Sequence, residues 1–499
     1  MIAAATAVAV LAGITGCSHP ADTALAVAVS DVSGANPAAL RFAEGLRHSV
    51  RTEAMMGHLA TLQDIAEANG GNRAAGEPGY DASVDYVVGV LRDQGFEVST
   101  PEFDVRIFQS EKPVLTVGDA QIEASPLRFT AATPADGVSG PLLPAPAEEA
   151  PGCVPADYEG LPVKGAVVLV DRGGCPFAEK LQIADKLGAA ALIIANNVDE
   201  EYMLGSLGQE NALETPAISV SKSAAAGLRA NPGPVSLVLD ATTTDVTSRS
   251  VIAQTSTGST QDVVVVGAHL DSVEEGPGID DNGSGVAAVL ETAVQLGSAP
   301  PINNAVRFAF WGAEEIGLIG ARKYLESLDI EQLKDIALYL NFDMIASPNA
   351  GYFTYDGDQS TRIEADQPVP RIPEGSAGIE RTLAGYLDAS GKPAQDAAFD
   401  GRSDYQVFTL AGIPAGGLFA GGDGEKTAEQ ARIWGGTADA PFAPDYHTPA
   451  DNIERINAEA LGIQGGGVAY AAGLYAQDLN GRNGIPVRAD RTRHLLTES

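Results

Sequence analysis

The chain has 499 residues, 44% of them hydrophobic, and a formal net charge of −35. That length exceeds what one ordinary core organises, so two domains with tails are expected, and the hydrophobic share is that of a soluble globular protein. The excess of acids excludes nucleic acid as a partner, because phosphates would be repelled rather than neutralised.

Taken in chain order, residues 1–17 read as a lipoprotein-type signal peptide. Met1 to Gly16 is apolar and rich in small residues, too short to span a membrane and continue into a domain. Ile14-Thr15-Gly16-Cys17 resembles the bacterial lipobox, in which the cysteine is lipidated, so a membrane is expected only through a lipid anchor at Cys17. An extracellular, cell-surface location follows. Residues 18–37, rich in Ala, Ser, Val and Pro, read as a flexible tether. Residues 38–113 begin the main domain, with helical spacing over Ala38–Asn69 and Asp81–Gln94 and a strand over Phe96–Phe103.

Residues 114–245 interrupt this pattern with short β runs and Gly/Pro turns. Gly165–Phe177 reads as a strand followed by a turn, Ala189–Ala195 and Pro216–Val220 as further strands, and Glu179–Leu187 as an amphipathic helix burying Leu181, Ala184 and Leu187. Of the three cysteines, lipidation removes Cys17 and leaves Cys153 and Cys175. Outside the cytoplasm an even remainder favours a disulfide over two separate buried thiols.

The main domain resumes over residues 246–482 and ends in a polar tail, 483–499, of which Arg488 to Ser499 is expected to fray. Asp262–Ala268 is a β-branched run ending in His269-Leu270-Asp271, followed by Gly278-Ile279-Asp280-Asp281-Asn282-Gly283-Ser284-Gly285. Phe308–Trp311 ends in Gly312-Ala313-Glu314-Glu315, and Ile336–Phe342 ends in Asp343. Asp445-Tyr446-His447-Thr448-Pro449 precedes a closing helix over Asn457–Gln477, and further helices are expected at Gly283–Leu296 and Ile316–Ser327. Acids and imidazoles at successive strand ends lie where open α/β sheets bind ligands. Adjacent side chains at a strand end diverge, so one of Glu314 and Glu315 can hold a cation while the other moves protons. Of six histidines, only His269 and His447 sit among these acids. Imidazole and carboxylate donors without thiolate suit zinc, and this many donors suit two ions about 3.5–4 Å apart sharing a carboxylate.

These motifs, with Gly71-Asn72-Arg73-Ala74-Ala75-Gly76 and Phe399-Asp400-Gly401-Arg402-Ser403-Asp404-Tyr405, together resemble the dizinc aminopeptidases of the bacterial secreted and yeast vacuolar type, in the same order along most of the chain. The resemblance implies a doubly wound mixed α/β sheet of the zinc-exopeptidase kind. It implies His269 and Asp343 on one zinc, Glu315 and His447 on the other, and Asp281 bridging them. Glu314 becomes general base and acid toward a metal-bridging hydroxide, and Asp271 orients His269. Tyr446 hydrogen-bonds the oxyanion and Arg402 positions substrate. The substrates are peptides with a free N-terminus, apolar residues preferred. Residues 114–245 resemble a protease-associated domain. Calcium elsewhere on the acidic surface is a further possibility. In some relatives the last histidine lies in a loop braced by two cysteines; here Asp445 and Ala450 occupy those positions. The competing readings are a carboxypeptidase or glutaminyl cyclase of the same fold, and a non-catalytic receptor-like protein.

Overall fold

The computed structural model describes residues 37–145, 152–197, 203, 205–361, 371–480 and 484–496. The leader, most of the tether and Cys17 lie outside them. The chain divides into two compact units, one running to Phe103 and resuming over Thr247–Ser499, the other Asp104–Val246.

The first unit is built on an eight-stranded mixed sheet in the spatial order Glu97–Ser99, Val251–Gln254, Asn304–Trp311, Ser259–His269, Ile336–Phe342, Ala415–Phe419, Phe353–Tyr355, Gln395–Ala397. The four strands from Asn304–Trp311 to Ala415–Phe419 are parallel. Their β-branched and aromatic residues alternate between two cores. Val264, Val266, Phe308, Phe310, Leu338 and Leu340 face helices Thr52–Ala68, Pro78–Asp93, Gly285–Leu296 and Ala458–Gln477. Val263, Val265, Trp311 and Tyr339 face the shorter helices Ile319–Glu326, Ile330–Asp335 and Tyr405–Leu410. Covering both faces is what makes such strands read as continuous apolar runs. From Ser259–His269 the chain moves to one side for Asn304–Trp311 and to the other for Ile336–Phe342. His269 therefore ends the strand at which the winding reverses.

Three details depart from the sequence reading. The long N-terminal helix is two, Pro37–Ser49 and Thr52–Ala68, parted where Arg51 is extended. Glu97–Ser99 and Glu102–Ser110 are separate strands, divided at Pro101, which has no N–H to donate. The tail is held where it is described: Arg491 and Arg493 are buried and donate to the carbonyls of Gln261, Lys334, Leu333, Ile336 and Gly412. Guanidinium groups supply the donors that these buried chain ends lack.

The second unit holds another eight-stranded sheet, with Val138–Pro144, Val167–Asp171, Ala191–Ala195 and Ala217–Val220 parallel at its centre. Its helix Phe177–Lys186 buries Leu181 and Ala184, whereas Leu187 caps the helix end and is exposed. Cys153 and Cys175 are joined by a disulfide across a sequence separation of 22. Closing a loop of that size restrains the unfolded chain by about 3 kcal/mol. Cys153→Ser with Cys175→Ser is therefore expected to lower the unfolding free energy of this unit by about that much, read from the denaturant midpoint.

Candidate metal centre

Most of the candidate donors lie where a strand stops. His269 is the last residue of its strand, Asp343 follows Phe342, and Glu314 and Glu315 follow the turn after Trp311. Asp281 lies in a wide turn, Ile279–Ser284, that leads into helix Gly285–Leu296, and the Asp281–Asn282 peptide is cis. The backbone is left-handed at Ala313, Met344 and His447, with φ of 59°, 51° and 55°. Such conformations in non-glycine residues cost of order 1–3 kcal/mol each and persist where the surroundings dictate them.

The donors converge. His269 Nε2 lies 3.2 Å from Asp281 Oδ1 and 3.3 Å from Asp343 Oδ1. His447 Nε2 lies 3.1 Å from both Asp281 Oδ2 and Glu315 Oε2. The two oxygens of Asp281 thus turn to two different imidazole–carboxylate pairs. Asp271 backs the arrangement: its backbone carbonyl lies 3.1 Å from His269 Nδ1, and its carboxylate accepts the N–H groups of Glu314 and Glu315 at 3.1 and 3.3 Å. Asp343 Oδ2 accepts from Ser403 Oγ at 2.6 Å, which accepts in turn from Asn341 Nδ2 at 2.8 Å.

The electrostatics are those of a site with surplus negative charge. Burial alone would depress the His269 pKa, but Asp343, Glu314, Asp271 and Asp281 outweigh it and hold it well above the usual imidazole value. His447 is likewise raised to about 10, burial being overcome by Asp281 and Glu315. Burial and the neighbouring Asp281 push Glu315 up to about 7. Burial, with Glu315, Asp404 and Asp343 close by, raises Glu314 far above its ordinary value.

Beside the donors opens a cavity of about 250 Å³. Met344, Phe353, Tyr355, Phe419 and Phe442 form its apolar wall. Phe353 meets Phe442 edge to face at 5.3 Å, while Phe310 faces the core and Trp434 packs behind Phe353. Tyr446 stacks on His447 with ring centroids 3.7 Å apart. Arg402 lies at the mouth, forked on Asp423 at 3.0 and 3.3 Å and 3.4 Å from the Tyr446 hydroxyl. The His447 loop is braced without cysteines: Asp445 pairs with Arg455 at 2.5 Å and its carbonyl accepts from Thr448 Oγ1 at 2.7 Å.

Among the described residues, Asp343 Oδ1, Glu315 Oε1 and His447 Nε2 are buried without a hydrogen-bond partner. Buried polar atoms of that kind call for a ligand. One oxygen from each half of the site and an imidazole nitrogen, with Asp281 between, fit divalent cations, and the donor types suit zinc. A second acidic group, Asp356, Asp358 and Glu380, is engaged otherwise: Asp356 accepts the N–H groups of Ser360 and Thr361 at 2.9 and 2.8 Å, and Glu380 that of Asp358 at 2.9 Å.

Fold and donor set together define a metallopeptidase. Residues 250–472 match the model of Peptidase family M28, and residues 138–228 that of the PA domain. A Mycobacterium tuberculosis protein named as a lipoprotein aminopeptidase is 63% identical over 463 residues, covering 93% of this chain and 92% of its own. The chain belongs to peptidase family M28 and carries an inserted PA domain. Among solved structures, the aminopeptidase from Aneurinibacillus sp. strain AM-1 superposes with a TM-score of 0.70 at 26% identity, covering 87% of this chain and 96% of its own. BSAP, a zinc aminopeptidase from Bacillus subtilis, does so with a TM-score of 0.60 at 26% identity, covering 85% and 94%.

Sequence reasoning gave no role to Asp451, four residues beyond His447, or to Arg73, although Arg73 stands in a quoted motif. It also missed Phe442, whose only signal is an aromatic residue shortly before the His447 loop.

Proposed function

We propose that this chain removes N-terminal residues, preferentially apolar ones, from peptides, using two zinc ions held by His269, Asp281, Glu315, Asp343 and His447. It is a zinc-dependent aminopeptidase. The observation that carries the two-ion reading is the division of the Asp281 carboxylate between two imidazole–carboxylate pairs. His269 and Asp343 would hold one ion, His447 and Glu315 the other. Zinc at these positions would supply Lewis acidity to the scissile carbonyl and lower the pKa of water.

The chain's own groups do the rest. Glu314 is 8% exposed, lines the cavity and belongs to neither imidazole–carboxylate pair. It takes the proton of the attacking water and returns it to the leaving amine. The Tyr446 hydroxyl, kept protonated by burial and by Asp281 and Glu315, donates to the oxygen on which negative charge develops. Glu314 and Asp343 offer negative charge to the substrate ammonium, which a free N-terminus alone provides. The aromatic wall receives an apolar first side chain, and Arg402 positions the substrate at the mouth. Lipidation of Cys17, in keeping with the name of the mycobacterial relative, tethers the enzyme outside the cell.

Hydrolysis of leucine p-nitroanilide is expected, stopped by chelator and restored by zinc, with N-acetyl-leucine p-nitroanilide untouched. Cleavage of the blocked substrate, or indifference to chelation, overturns this reading.

A further inference from the structure

Arg73 is fully buried, in the turn after helix Thr52–Ala68. Its guanidinium spends its donors on three carbonyls of one loop, the loop joining His269 to Asp281. Nη1 donates to the carbonyl of Leu270 at the loop's start. Nε donates to that of Pro277 at 2.9 Å and Nη2 to that of Gly278 at 2.6 Å, both near its end. Backbone bonds between Arg73 and Ser272 add to the grip, at 2.9 Å to the Ser272 hydroxyl and 3.2 Å from the Ser272 N–H. The turn at residue 278 requires glycine: a Cβ there, where φ is 59°, would stand 2.2 Å from the Asp281 carbonyl oxygen and 3.3 Å from Arg73 Nη2.

The far end of the loop is held from the other side. Asp451, 4% exposed, accepts the N–H of Asp280 at 2.8 Å through one carboxylate oxygen and that of Asp281 at 3.0 Å through the other. Its backbone carbonyl accepts the N–H of Ile279 at 3.2 Å. Asp451 belongs to the same loop as His447. The bridging carboxylate is therefore fixed through its main chain to both halves of the site, by Arg73 on the His269 side and by Asp451 on the His447 side.

We propose that Arg73 and Asp451 are positioning residues, a two-sided clasp that sets the spacing of the two half-sites around Asp281 and thereby the affinity for zinc, without touching substrate. A planar fork is needed to reach carbonyls at both ends of the loop at once, and lysine offers a single ammonium. A carboxylate is needed to accept two N–H groups, since an asparagine amide would set its own donor against one of them. The inference rests on the zinc reading above.

The test is zinc affinity of purified Arg73→Lys and Asp451→Asn, by competition with a chromophoric chelator, with melting temperatures of zinc-free and zinc-loaded protein. Groups behind metal ligands cost about 10–100-fold in affinity when altered, and that loss is expected in both variants. The zinc-induced rise in melting temperature shrinks with it, and hydrolysis of leucine p-nitroanilide recovers as zinc is raised, with KM unchanged. A merely structural role lowers both melting temperatures equally and leaves zinc affinity at the wild-type value, which overturns the proposal. Should Arg73→Lys not fold, Asp451→Asn decides by the same criteria; if neither folds in excess zinc, the residues are structural and the proposal falls. Wild-type protein that binds no zinc instead sinks the zinc reading itself, and the clasp with it.

Discussion

Glu314→Gln is expected to keep the wild-type zinc content and lose about a hundred- to ten-thousand-fold in kcat, the range over which a positioned general base contributes. The substitution is close to isosteric, and the main-chain N–H of residue 314 still donates to Asp271. The imidazole–carboxylate contacts run through Asp281, Asp343 and Glu315, so none is broken by the change. What disappears is a group that can accept a proton and give it back. KM for leucine p-nitroanilide should rise no more than a few-fold, because Asp343 still faces the substrate ammonium and the proton transfer, needed only in the transition state, shows in kcat. Zinc analysis alongside steady-state kinetics checks both halves. A variant with near-wild-type turnover removes Glu314 as the base, and one stripped of zinc makes it a structural member of the site instead.

The main-domain architecture was legible because the physics that buries a parallel strand also marks it. Val263 to Val266 are β-branched since both faces of that strand are covered, and an apolar run that stops at His269 or Asp343 has reached the sheet's rim. The same rule brings Glu314 and Glu315 to the rim beside His269, distant in sequence but at the end of the adjoining strand. Side chains that act on the main chain were not legible. Arg73 and Asp451 bond to carbonyl and N–H groups, which every residue carries, so their partners leave no trace in composition or spacing. The tail misled for the same reason. Arg491 and Arg493 look like solvated charges, yet they satisfy buried carbonyls at ends of the sheet's strands and its helices. Breaks between elements were missed where a single extended residue, Arg51, outweighed the continuous helical propensity around it. The cavity wall is harder to read: Phe353 and Phe419 come from strands of the sheet, whereas Phe442 reaches the pocket from a loop with no periodicity to read.

Asp281→Ala is expected to weaken zinc binding more than a hundredfold, beyond the roughly 10–100-fold associated with groups behind the ligands, and to abolish hydrolysis. Each of the other four donors has its own partner in one half of the site. Asp281 alone faces both, with Oδ1 toward His269 and Oδ2 toward His447. Without it, the two pairs lose the one group through which their positions are coupled. Asp281→Asn sharpens the test, since it keeps the shape but offers a single acceptor oxygen and no charge. One zinc per chain is expected from it where the wild type holds two, measured by elemental analysis after equilibrium dialysis. The main-chain N–H of residue 281 is still held by Asp451 in either variant, so the loop keeps its path and the loss falls on the ions rather than the fold. Two zinc ions retained by Asp281→Ala would mean that the half-sites fill independently, and the shared-carboxylate geometry would carry no chemistry.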